Sequence, residues 1–180
     1  MRLLLSHQQA DELVKQAKDA APREICGLLA GKDGRVSLIL PIANIADAPT
    51  RAYRMDEHAL AHALFALEYQ TVGLLAIYHS HPTHDPIPSQ MDIRQWQYPD
   101  TAMMIISLKD EPRVTAWQIR STGSQPLSIH IGNEPPPPRY PSFSNAQKAA
   151  IIVSAVAAAI LVLIIAVTLL PPAPAIPPTP

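Results

Sequence analysis

The amino-acid sequence predicts an α/β domain followed by one transmembrane helix. Three observations carry this reading. Short apolar runs of strand length alternate with stretches whose apolar residues recur every three or four positions, the period of a helix face. Asp33-Gly34 separates two of those runs and is a strong hairpin signal. Near the end, 149–170 is a run of 22 residues without a charge, closed by Pro171. As a helix it would reach roughly 33 Å, against a hydrocarbon core of about 30 Å.

The elements follow in order. Residues 2–5 read as a short strand. Ser6 lies three residues before Gln9, a capping-box pattern, and Leu13, Val14 and Ala17 give 7–20 one apolar stripe that stops before Pro22. Residues 25–30 and 36–42 flank the Asp33-Gly34 turn as two strands. The stretch 43–53 looks irregular. Asp56 can cap a helix reaching about Tyr69, with Leu60, Leu64 and Leu67 three and four apart. Residues 72–78 form a continuous apolar run, expected as a central strand. The three prolines within 81–88 demand a loop. Ser89 can cap a short helix over about 90–97, residues 102–108 and 114–119 read as a strand pair, and 127–131 as a last strand.

The domain is expected to span 1–131. A spacer, 132–148, contains four consecutive prolines at 135–138, a composition that favours an extended, semi-rigid chain. The span 149–170 and a short proline-rich tail, 171–180, complete the plan. Arg139 and Lys148 precede the span and no charge follows it, so the positive-inside rule places the domain in the cytoplasm of a single-pass membrane protein. The span has no ionisable residue, as befits an anchor.

Charge excludes other classes. Fourteen Lys and Arg stand against 15 Asp and Glu, with no basic run to attract nucleic acid. Cys26 is the single cysteine, so no internal disulfide forms and a reducing compartment fits. The apolar run within 1–6 is too short for a signal peptide.

The chemistry concentrates in His79-Ser80-His81-Pro82, Pro88-Ser89 and Asp92. Residues two apart on an extended segment point to the same side, so both imidazoles can reach one ion at Zn–N near 2.0–2.1 Å. The proline-rich loop can fold back, and a helix capped by Ser89 would hold Asp92 in its first turn. Two histidines and a carboxylate leave a fourth tetrahedral position open for water, the arrangement of a catalytic zinc. Such a site needs a proton shuttle. Glu24, at the edge of the strand 25–30, is the best placed. Composition alone does not separate it from Glu12, Glu57 or Glu68, which fall on presumed helix faces.

The pattern resembles the JAMM (MPN-plus) family of zinc metalloproteases: a glutamate, then His-x-His, ten residues and Asp. Here His79-Ser80-His81 is followed by ten residues and Asp92, with Pro82 and the Pro88-Ser89 pair in the family's places. Upstream, Pro22-Arg23-Glu24-Ile25-Cys26-Gly27-Leu28-Leu29 looks like the family's glutamate segment. The resemblance covers about 2–131. It implies a JAMM/MPN-like (cytidine-deaminase-like) fold, a curved, mostly antiparallel sheet flanked by helices. It implies Zn2+ as cofactor, His79, His81 and Asp92 as its ligands, Glu24 as general base and then acid, and Ser89 as a hydrogen-bond donor to the developing oxyanion. It also implies a protein substrate: a peptide or isopeptide bond at the C-terminal tail of a ubiquitin-like or sulfur-carrier protein. A homodimer stays open.

Plainer readings stand beside these. Ser89 is a good helix cap in its own right. Cys26 suits a small buried strand position. His58 and His62 are four apart on a helix, without the His-Glu-x-x-His pattern of a zincin. His84 and Asp85 are unusual for the family and fit a polar surface loop. Pro86 should stiffen the cleft rim. Trp96 and Trp117 suit core or cleft wall. Two alternative functions are a scaffold that binds a ubiquitin-like protein without cleaving it, and a zinc hydrolase of small amides.

Overall fold

The expected capping box closes between strand β1 (Leu3–Ser6) and helix α1 (His7–Ala20). Ser6 Oγ accepts from Gln9 N at 3.1 Å, and Gln9 Oε1 accepts from Ser6 N at 2.9 Å. Strands β2 (Cys26–Lys32) and β3 (Arg35–Ile42) follow as a hairpin. Both turn residues have positive φ, 53° at Asp33 and 78° at Gly34, the demand that selects Asp-Gly there. Asp56 caps helix α2 (Glu57–Tyr69) by accepting from Ala59 N at 2.8 Å. Then come strand β4 (Gly73–His81), helix α3 (Gln90–Gln95), strands β5 (Ala102–Ser107), β6 (Arg113–Arg120), β7 (Gly123–Leu127) and β8 (Ile129–Gly132), and helix α4 (Asn145–Leu169). This computed structural model describes residues 2–132 and 145–169, with side chains of α4 described at 152–154 and 156–166. The chain divides into two units, Met1–Pro138 and Arg139–Pro180.

The first unit holds one eight-stranded sheet in the order β7-β6-β5-β4-β2-β3-β1-β8. Four of its strand pairs are antiparallel and three parallel, so the expectation of a mostly antiparallel sheet holds. Its curvature is forced by connectivity. β7 and β8 stand at opposite ends of the strand order, yet a single residue, Ser128, joins them. Consecutive Cα atoms are about 3.8 Å apart, so the sheet curls until its two edges adjoin. Leu3 N donates to Ser128 O at 3.0 Å and pins that corner.

The core has two faces. Leu13 and Ala17 of α1 pack with Leu3, Leu29, Ala76 and Tyr78 on one. On the other, Leu60 and Leu64 of α2 pack with Leu28, Ile42 and Ile77, while Ile93 and Trp96 pack with Met103 and Ile105. Gly27 lies between β3 and β4, where a Cβ would collide with the Leu40 carbonyl and the Tyr78 hydroxyl. Glycine there lets the central strands approach.

Two elements differ from expectation. β4 runs on to His81, because Leu108 N bonds His81 O at 3.0 Å and His81 pairs with Ser107 of β5. Both histidines therefore stand on the strand itself. The last strand, expected at 127–131, is β8, and an unexpected strand, β7, precedes it. β7 is polar and contains Pro126, features tolerated at a sheet edge and silent in a periodicity reading.

The expected transmembrane helix over 149–170 is corrected: among the described residues, no helix is long and apolar enough to cross a membrane. Helix α4 covers most of this stretch. With the span go the single-pass anchor, the membrane as partner and the membrane localisation with its cytoplasmic domain. The expected homodimer is corrected too: no dimer interface is shown among the described residues. The prolines 135–138 and the tail 171–180 lie outside the described residues.

Candidate active site

His79 and His81 project from one face of β4, two residues beyond the core residue Ile77. His79 is flanked by Cys26 of β2 and Ile105 of β5, and is fully buried. Asp92 arrives from α3. Ser89 caps this helix by accepting from Asp92 N at 3.1 Å, while Asp92 Oδ2 accepts from Ser89 N at 2.7 Å. The cap thus fixes the carboxylate's direction.

The three side chains converge. His79 Nε2 lies 3.1 Å from His81 Nε2 and 3.7 Å from Asp92 Oδ2, and His81 Nε2 lies 3.9 Å from Asp92 Oδ2. One ligand atom from each falls within a 4.8 Å group able to hold a metal ion. Tetrahedral ligands at 2.0–2.1 Å from zinc stand roughly 3.3–3.4 Å apart, close to these separations. His81 Nδ1 faces Asp85 O at 2.8 Å. A carbonyl accepts only, so Nδ1 carries the hydrogen and the Nε2 lone pair faces the cluster. His79 Nδ1 is buried without a hydrogen-bond partner. The other ring nitrogen, Nε2, faces His81 and Asp92 and is the atom a metal would take. The donor set and its geometry fit a zinc ion.

Electrostatics separate the two acids beside this cluster. Burial pushes the Asp92 carboxyl up, but hydrogen bonding and charge from His79, with bonds from Ser89, outweigh it and hold it at about 2. Glu24, 6% exposed, moves the other way: burial first, then the Asp92 charge, raise its carboxyl to about 7. Burial, then neighbouring His79, lowers His81's affinity for a second proton, which suits a neutral ligand.

Glu24, His81, Ser89 and Asp92 line one cleft of about 770 Å³. Ser89 is exposed there. Its oxygen caps α3, but a hydroxyl keeps its own proton while accepting, so the capping and oxyanion readings are compatible.

The plainer readings can also be placed. Cys26 is 1% exposed, and burial followed by the Glu24 charge pushes its thiol up to about 12, leaving it protonated. His58 and His62 are exposed on α2. Asp85 is held by Lys109 Nζ at 2.8 Å and Arg113 Nη2 at 3.0 Å, and joins no metal group among the described residues. Pro86 O accepts from Thr115 Oγ1 at 2.8 Å and Trp117 Nε1 at 3.0 Å, so the rim loop is pinned to β6.

Sequence reasoning missed two residues in 43–53. The Tyr53 ring stacks on His79 with centroids 4.4 Å apart and planes at 18°. Asn44 bonds the Glu24 backbone at 2.8 Å. The stretch has no periodicity to announce either.

Comparison with known proteins agrees with this geometry. The family model described as prokaryotic homologs of the JAB domain matches residues 6–120. A desampylase of Haloferax volcanii is 32% identical over 136 residues, covering 72% of this chain and 96% of the relative. A probable TtuB-protein conjugate cleaving protease of Thermus thermophilus is 44% identical over 81 residues, covering 44% and 54%. A CysO-cysteine peptidase of Mycobacterium tuberculosis is 30% identical over 113 residues, covering 62% and 77%. Among solved structures, a protein from Desulfitobacterium hafniense superposes with a TM-score of 0.66 at 28% identity, covering 74% of this chain and 94% of the other.

Proposed function

The chain belongs to the family of prokaryotic homologs of the JAB domain, the JAMM-type metallopeptidases, and from this premise we propose that it uses zinc to hydrolyse a peptide or isopeptide bond at the C-terminal tail of a ubiquitin-like or sulfur-carrier protein. The observation that carries the proposal is the meeting of His79, His81 and Asp92 beside a buried Glu24 in one open cleft. Two relatives whose names denote a desampylase and a conjugate-cleaving protease support the substrate class.

His79, His81 and Asp92 would hold the zinc. When bound, zinc supplies Lewis acidity to polarise the scissile carbonyl. Glu24 takes a proton from the attacking water and returns it to the leaving amine. Burial strengthens its hold on a proton, as suits a group that must accept one. Ser89 donates its free hydroxyl hydrogen to the carbonyl oxygen as charge builds there. The Asp85 carbonyl holds the His81 ring in the tautomer a ligand needs.

The test uses zinc-loaded protein and a ubiquitin-like protein extended beyond a Gly-Gly terminus, by a peptide in one arm and by a lysine isopeptide in another. Intact mass should show release after the tail. Tight binding of both substrates with no cleavage would replace this reading by a scaffold. Turnover confined to small amides would replace it by a small-amide hydrolase.

A further inference from the structure

We propose that Asn44 is the positioning residue of the catalytic glutamate: its side-chain amide ties the 44–54 loop to the Glu24 backbone and so sets where the Glu24 carboxylate stands in the cleft. The inference rests on the role proposed for Glu24.

Glu24 stands just outside the sheet. Strand β2 begins at Cys26, and Ile25 is the last residue tied to β4, through Ile25 N to Ser80 Oγ at 2.9 Å and Ser80 N to Ile25 O at 3.0 Å. Among the described residues, no ladder bond reaches Glu24. Its two backbone groups are taken by one loop instead: Glu24 N donates to Pro49 O at 2.6 Å, and Glu24 O accepts from Asn44 Nδ2 at 2.8 Å.

Asn44 uses its whole amide. Nδ2 also donates to Ala52 O at 3.1 Å, while Oδ1 accepts from Ala46 N and Arg54 N, each at 3.0 Å. Two donors meet two carbonyls and the acceptor meets two N–H groups, so the flipped amide would oppose all four partners. Aspartate would set acceptor against acceptor at Glu24 and Ala52. The same loop carries Tyr53 onto His79. One side chain therefore ties the loop that touches a metal-cluster histidine to the backbone of the proton shuttle.

A double-mutant cycle on the zinc-loaded full chain tests this. Asn44→Asp keeps the shape of the side chain and loses both donors. A displacement of about 1 Å at a reacting group can cost about 10²-fold. Asn44→Asp should accordingly lower kcat about 10²-fold, with KM within about threefold of the parent and zinc still bound one per chain. On a Glu24→Gln background the same substitution should lower the residual rate by less than about twofold. Arg54→Ala removes a bond from the same loop, Arg54 Nη2 to Ile45 O at 3.0 Å, without touching Glu24, and should change kcat by less than about threefold. Asn44→Ser, a milder change, enters the same cycle should Asn44→Asp fail to fold. An equal fall in both backgrounds, a parent-like kcat in the Asn44 variants, or an equal loss in Arg54→Ala would overturn the proposal. Parent-like turnover of Glu24→Gln alone would overturn the Glu24 role instead, and is read before any Asn44 arm.

Discussion

His79 and His81 stand inside the sheet, whereas Glu24 stands one step outside it. The histidines ride a strand paired on both sides, with Cys26 and Ile105 flanking His79. Moving them means breaking the ladder at the centre of the fold. Glu24 is held by a loop through two bonds to its backbone, one from a side chain. The metal cluster is thus built by secondary structure, and the proposed proton shuttle is held by tertiary clamps. A metal site tolerates little play, because its ligands must share one ion. A shuttle must swing between water and leaving group, and a loop allows that.

The largest effect should come from breaking the metal cluster. Asp92→Asn or His79→Ala should take bound zinc from one per chain to none by elemental analysis, and turnover should vanish with it. Full zinc occupancy in either variant would mean that the cluster is not the metal site. Next comes Ser89, a helix cap for which an oxyanion contact is also proposed. Ser89→Ala should lower kcat about 10²–10³-fold and cost about 1 kcal/mol through the lost cap of α3. Ser89→Thr should restore both, because its hydroxyl accepts and donates. A stability loss with unchanged kcat would reduce Ser89 to a cap.

The third effect sharpens the comparison through pH. In metal-free protein the Glu24 carboxyl lies at about 7 against an ordinary 4.5. The folded state therefore holds this proton more tightly than the unfolded chain. The stability it contributes is fully present below about 4.5 and is lost as pH rises through about 7, a difference of at most about 3 kcal/mol. Denaturant titrations of metal-free Glu24→Gln should match the parent at pH 4 and exceed it at pH 8. A constant offset across this range would contradict the burial argument. The smallest effect belongs to Asp85. Its side chain only braces the loop, while the carbonyl that orients His81 belongs to the backbone. Asp85→Ala should weaken zinc retention less than about tenfold in chelator competition, below the span usual for direct partners of a ligand.

What could be read in advance follows the same division. The spacing of His79, His81 and Asp92 is legible because a strand and a capped helix turn convert spacing into direction. Ser6 with Gln9 and Asp33-Gly34 are legible because each local motif closes on itself. Asn44 and Tyr53 are not, since bonds from side chain to distant backbone leave no period in 43–53. β7 escaped because Pro126 and its polar neighbours are permitted at an edge by pairing with β6, a long-range fact. The apolar run over 149–170 reports composition, and composition alone did not establish a membrane span.

The central claim is that β4 and α3 hold the metal while Glu24 moves the proton. Zinc content and kcat measured together on Glu24→Gln test it most directly. The account predicts one zinc per chain, as in the parent, with kcat lower by about 10²–10⁴-fold. Turnover equal to the parent's, or zinc lost together with activity, would contradict it.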